Sequence, residues 1–129
     1  NNPQPGANYG WPVITYGVDY SGAPIGEGQQ KEGMEQPLFY WDPSISPSGL
    51  DFYDGALLPA WQGDLLTGGL SGQVLVRLDV EGDAIVGEER LFAGELGRVR
   101  DVKTGPDGAI YLITDEDNGR LIRVAPEGK

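Results

Sequence analysis

Two stretches decide the fold: LLTGGLSGQVLVRL at residues 65–78 and LITDEDNGRLIRV at residues 112–124. Each has an apolar run reaching a threonine, a turn that contains glycine, and a second apolar run carrying one arginine. Thr67 and Thr114 are 47 positions apart, and so are Gly72 and Gly119. Short apolar runs broken by turn residues are the pattern of paired antiparallel strands. A repeat near 47 residues with several strands per repeat has the size of one β-propeller blade, a four-stranded unit that covers its faces only by stacking on neighbours. The competing reading is a chance likeness between two hairpins.

Working outward, strands are expected at residues 49–53, 64–68, 73–80 and 84–92, which supply one complete four-stranded unit. Residues 98–104, 109–114 and 121–125 supply three more strands, so the second unit lacks its outer strand. A further apolar run at 38–41 also reads as a strand. Residues 1–36 are rich in Gly, Pro and Gln around one apolar stretch at 11–16, which suggests a loop-rich segment with a single strand. No segment has helical periodicity. The expected organisation is therefore all-β: a loop-rich segment at 1–36 and about two antiparallel propeller blades at 37–129. The missing outer strand would come from the strand near Trp11 or from another polypeptide, because an open edge invites pairing.

Composition narrows the function. A net charge of -11 opposes nucleic-acid binding, which rests on Lys and Arg neutralising phosphates. No apolar run approaches the roughly 20 residues of a membrane span. With no cysteine, disulfides and thiolate metal sites are excluded. A complete six-bladed propeller needs well over twice these 129 residues, so the chain is expected to be a fragment or a subunit of an assembly. Its start at Asn1-Asn2-Pro3, without Met, suggests an artificial or processed boundary.

Asn8-Tyr9-Gly10-Trp11-Pro12, Pro43-Ser44-Ile45-Ser46-Pro47-Ser48-Gly49 and Gly97-Arg98-Val99-Arg100-Asp101-Val102 together resemble the soluble PQQ-dependent glucose and aldose sugar dehydrogenases. Gly105-Pro106-Asp107-Gly108 and Tyr111-Leu112-Ile113-Thr114-Asp115 extend the likeness over essentially the whole chain. The resemblance implies a six-bladed β-propeller that binds PQQ and calcium, oxidises an aldose to its lactone, and works in the periplasm or as a secreted protein. Most of that family's blades would lie upstream of these residues. An alternative from a different class is a non-catalytic propeller-derived module whose copies associate to complete a ring.

Arg98 and Arg100 are spaced by two, which on a strand directs both side chains to one face, and paired guanidiniums suit a ligand with several carboxylates. PQQ is such a ligand, and the resemblance implies that these arginines clamp it. Otherwise they are exposed strand residues paired with Asp101 or nearby acids. Where the family often carries a cofactor-contacting lysine, this chain has Ser71, which hydrogen-bonds but brings no charge. Weaker cofactor affinity or a degenerate site follows. Trp41 matches a position near the sugar pocket, where an indole packs against a pyranose face, with core packing as the alternative. Trp11 and Trp61 read as hydrophobic plugs between blades.

The resemblance also suggests that the carbonyl of Tyr9 and the carboxylate of Asp19 contribute to a calcium site, with the remaining ligands upstream. The run Asp115-Glu116-Asp117-Asn118-Gly119 invites an EF-hand reading but lacks the spaced glutamate that closes such a loop, so a solvated turn is expected. In the family a histidine acts as base on the sugar. This chain has no histidine, and no carboxylate is nominated in its place.

Overall fold

From Pro47 onward the chain folds as its apolar runs direct, into seven strands: β1 (Pro47–Phe52), β2 (Leu65–Gly69), β3 (Val74–Glu81), β4 (Ala84–Leu91), β5 (Val99–Thr104), β6 (Ile110–Thr114) and β7 (Leu121–Val124). All neighbours are antiparallel, in a four-stranded sheet of order β1-β2-β3-β4 and a three-stranded sheet of order β5-β6-β7. The only helical element is a 3-10 turn at Pro59–Trp61. The structure, a computed structural model, describes residues 1–129 and divides into two units, Asn1–Ser44 and Ile45–Lys129.

Within the second unit the sheets stack as consecutive propeller blades. Tyr53, Leu66 and Leu75 from the first sheet region interlock with Val99, Val102, Ile110 and Leu112 from the second, forming one buried cluster. The middle strands explain why: β2 is buried along nearly its whole length, whereas outer β4 alternates and keeps one face wet. Strands β1 and β2 of the first sheet both approach β5 of the second closely. A Cβ at Gly68 would strike the Val99 side chain, and one at Gly49, whose φ is 68°, would strike the backbone of Asp101. Glycine at both positions is what permits that approach.

Hydrogen bonds then fix the alignment of β1 beside β5. Asp51 accepts from Lys103 Nζ at 2.8 Å and from the Thr104 backbone N–H at 2.7 Å. At one end the Ser48 hydroxyl donates to the Val99 carbonyl. Near the other, buried Tyr53 donates through its hydroxyl to the Gly108 carbonyl at 2.7 Å and accepts from the Leu58 N–H at 3.0 Å. The glycine-rich turn at 105–108 is thereby tied to the first sheet.

The first unit differs from the expectation. Residues 11–16 form no strand, because Pro12 has no N–H and the Gly10 carbonyl accepts from both Val13 and Ile14, at 2.7 and 3.0 Å, closing a turn. Residues 38–41 form none either, since their rings pair with other aromatic side chains instead of lining a sheet. Tyr40 stacks on Tyr16 at 3.8 Å and Phe39 meets Trp41 edge-on at 5.1 Å. Trp11 is 69% exposed. Trp61, in contrast, is packed against the buried cluster, edge-on to Tyr53 and beneath the Arg77 guanidinium.

Candidate functional site

The candidate cofactor-binding group lies where β5 begins. The pairing of β5 with β6 slips between Val99 and Asp101, leaving Arg100 as the extra residue of a bulge. Counted outward from the Thr104–Ile110 pair, an undisturbed ladder would set Glu116 opposite Arg98. The slip sets Asp115 there instead, and the Asp115 N–H donates to the Arg98 carbonyl at 2.8 Å. Arg98 Nε and Nη2 then reach Asp115 Oδ2 at 3.3 and 3.2 Å, and Arg100 Nη2 reaches the same oxygen at 3.3 Å.

The two guanidiniums therefore converge on one point. Their side chains are 45% and 51% exposed, and that of Asp115 is 37% exposed, so the group faces solvent. Two guanidiniums carry ten N–H bonds between them, far more than one carboxylate oxygen can accept. The surplus is a donor set for further anionic oxygens. Of Asp101 and the nearby acids considered from sequence as ion partners, Asp115 is the one that pairs with the arginines, while Asp101 accepts from the Val102 N–H at 2.9 Å.

Ser71 lies in the turn between β2 and β3, with its Oγ 2.9 Å from Ser46 Oγ. That turn is held down by Leu70 and Gly72, whose N–H groups donate to the carbonyls of Ser46 and Ile45. Ser46 has φ 51°, in the left-handed region, just ahead of β1. Because Ser48 bonds Val99, the Ser46–Ser71 pair stands at the same end of the stacked sheets as the arginines.

Trp41, Tyr9 and Asp19 belong to the first unit. Trp41 and Tyr9 share an open cleft of about 320 Å³, lined also by Trp11, Tyr16, Tyr40 and Gln36. Sequence reasoning missed the cleft, because its rings come from three separated stretches with no common period. Tyr9 is held by its hydroxyl, which donates to the Asn2 carbonyl and accepts from the Gln4 N–H, both at 2.8 Å. Asp19 forms a tight turn in which Oδ1 accepts from the Ser21 N–H and hydroxyl at 2.9 and 2.8 Å. Those bonds hold its carboxyl below the usual range. No three acidic side chains are gathered to hold a metal ion, in the 115–119 turn or elsewhere.

Comparison with known proteins gives this geometry a context. Residues 1–123 match the family model of glucose and sorbosone dehydrogenases. The chain is 44% identical over 128 residues to the aldose sugar dehydrogenase YliI of Escherichia coli K12, covering 98% of this chain and 34% of that protein. A crystal structure of a glucose dehydrogenase superposes with a TM-score of 0.92 at 50% identity, over 97% of this chain and 37% of its own. The PQQ-bound aldose sugar dehydrogenase of Streptomyces coelicolor superposes with a TM-score of 0.65 at 27% identity, over 93% of this chain and 34% of its own. The chain thus spans about a third of the length of these relatives, and it belongs to the glucose/sorbosone dehydrogenase family.

Proposed function

We propose that these residues form the cofactor-facing part of a PQQ-dependent sugar dehydrogenase that, as a whole protein, oxidises an aldose to its lactone. One observation carries the reading: two half-exposed guanidiniums converge beside β5 with most of their N–H donors uncommitted to Asp115. A ligand with several carboxylates is the chemistry that such a donor set selects. When bound, PQQ supplies the two-electron oxidising capacity. Arg98 and Arg100 bind and orient its carboxylates, while Ser71 offers a neutral hydrogen bond. The kinship with a PQQ-bound relative supports this reading.

The cleft with Trp41 suits a sugar, since rings cover the apolar face of a pyranose and amide or carboxylate side chains meet its hydroxyls. Tyr9 and Asp19 offer hard oxygen donors, and Asp19 stays ionised at neutral pH, as calcium requires. They are too few for a shell of six to eight ligands, so the remaining oxygens would come from outside this chain. No proton-transfer step is assigned to these residues. The chain holds no histidine, so a histidine base would have to come from elsewhere in the whole protein. A periplasmic or secreted setting accompanies this reading through the family.

Titration calorimetry with PQQ and calcium tests the clamp. Arg98→Ala and Arg100→Ala are each expected to weaken PQQ binding about tenfold, the loss of one charge-assisted pair. Unchanged affinity in both would refute it. A sample of this chain alone, given PQQ, calcium and an artificial acceptor, is expected not to turn over glucose.

A second reading, in which copies of the chain associate, is favoured by two apolar side chains that pair across β6 and β7 on the solvent-facing side of the three-stranded sheet, Ile113 and Leu121, which are 43% and 71% exposed. Light scattering that finds a defined oligomer without PQQ binding would select it. A stable monomer would remove it.

A further inference from the structure

We infer that Asp115 is a positioning residue for the arginine pair: its carboxylate draws Arg98 and Arg100 together before any ligand arrives. The inference rests on the clamp reading above and adds a residue to it. Two like charges on flexible, half-exposed side chains repel, and by themselves would sample many separated rotamers. Here a single oxygen, Asp115 Oδ2, accepts from both. It engages one edge of Arg98 and one nitrogen of Arg100, so Arg98 Nη1 and Arg100 Nε and Nη1 remain to donate outward.

The anchor itself is fixed. The Asp115 N–H is bonded to the Arg98 carbonyl, and Thr114 and Arg120 close the turn through two bonds, Thr114 N–H to the Arg120 carbonyl and Arg120 N–H to the Thr114 hydroxyl. The Arg120 guanidinium ties the far side of that turn to the Leu96 carbonyl at 2.6 Å. Gly97 has the room for this, since a Cβ there would collide with the Glu116 carboxylate. The turn between β6 and β7 is thus bound to the segment that delivers Arg98, and the register slip at Arg100 selects Asp115 over Glu116 as the bridging acid.

Positioning and simple charge make opposite predictions. If Asp115 acted only through its charge, Asp115→Asn would raise the local positive potential and tighten PQQ binding. If it orders the pair, the same change forfeits preorganisation and weakens binding about fivefold. The experiment is PQQ calorimetry on the full chain and on Asp115→Asn, Asp115→Ser and Asp115→Glu, with arginine Nε–H NMR spectra of each without ligand. The expected result is weaker binding for Asn and Ser, recovery toward wild type for Glu, and loss of the ordered Arg98 Nε–H signal in Asn and Ser alone. Serine serves where asparagine fails to fold.

Tighter or unchanged PQQ binding in the Asn and Ser variants, with Arg98→Ala still weakened, overturns the positioning role and leaves the clamp standing. If the unmodified chain does not bind PQQ, the ligand-free spectra decide. An Arg98 signal that survives the loss of the carboxylate sinks the inference, and one that vanishes supports it while the clamp reading fails.

Discussion

Residues 1–44 and 45–129 are built by different means. The first unit contains one buried large apolar side chain, Ile14, and one isolated bridge, Val18–Pro24. Turns, side-chain bonds and ring pairs hold the rest of it. The second contains seven strands and a cluster that draws on both sheets. Stability is therefore concentrated in 45–129, while the aromatic cleft is carried by a region with little core. The candidate anion site uses the rigid unit, where a register slip can hold two side chains to one point.

The largest expected effect lies in the cluster. Leu75→Ala removes a fully buried side chain and is expected to destabilise the second unit by about 2–5 kcal/mol, read by urea unfolding. Ile14→Ala is instead expected to appear first as faster amide exchange at Val13 and Ile14, whose N–H groups share the Gly10 carbonyl. Unchanged exchange there would break the contrast between the units.

Gly68→Ala comes next. The new methyl would press on Val99 where β2 meets β5, and a loss of about 1–3 kcal/mol is expected. Val99→Ala in the same chain should recover part of it, because the clash is with that side chain. Failure of the second change to compensate would mean that the sheets do not meet as described.

A smaller effect depends on pH. Burial raises the Asp51 carboxyl, but the Lys103 ammonium and the Thr104 N–H and hydroxyl outweigh it, leaving its pKa lowered. A group whose folded-state pKa is depressed contributes fully above its unfolded value, near 4, and loses that contribution as pH falls through the folded value. The stability of 45–129 should therefore decline below about pH 4, and Asp51→Asn should flatten that decline. An equally steep acid limb in the variant would assign it to other carboxylates, such as Asp107, which burial raises and Arg123, Ala109 and Tyr111 together lower further.

Sequence reading succeeded where composition and geometry coincide. Every strand from β1 to β7 falls within two residues of its expected bounds, because Gly-, Asn- and Asp-bearing turns separate runs that must be buried on a sheet. It failed at 11–16 and 38–41, where equally apolar runs form turns and ring pairs in which only Ile14 is buried. Apolar content alone does not report whether a partner strand exists. The arginine pair was legible from its spacing, yet Arg98 precedes the strand and Arg100 sits in a bulge, so simple alternation is not what brings them together. Asp115 was not legible as their partner, since an unslipped hairpin names Glu116.

The smallest expected effect separates a functional pair from a structural one. Arg98 and Arg100 contact Asp115 at 3.2–3.3 Å with all three side chains substantially exposed, so water screens the attraction and can solvate whichever group is left behind. Arg98→Ala and Arg100→Ala should each change the stability of 45–129 by less than about 0.5 kcal/mol in urea unfolding. Arg77 supplies the contrast in the same unit: it bridges Asp64 and Glu89 and covers Trp61, so Arg77→Ala also uncovers an indole and leaves buried Asp64 without its cation. That loss should clearly exceed the other two. If the exposed arginines prove as costly to remove as Arg77, they are there to hold the fold, and their convergence is not evidence of a ligand.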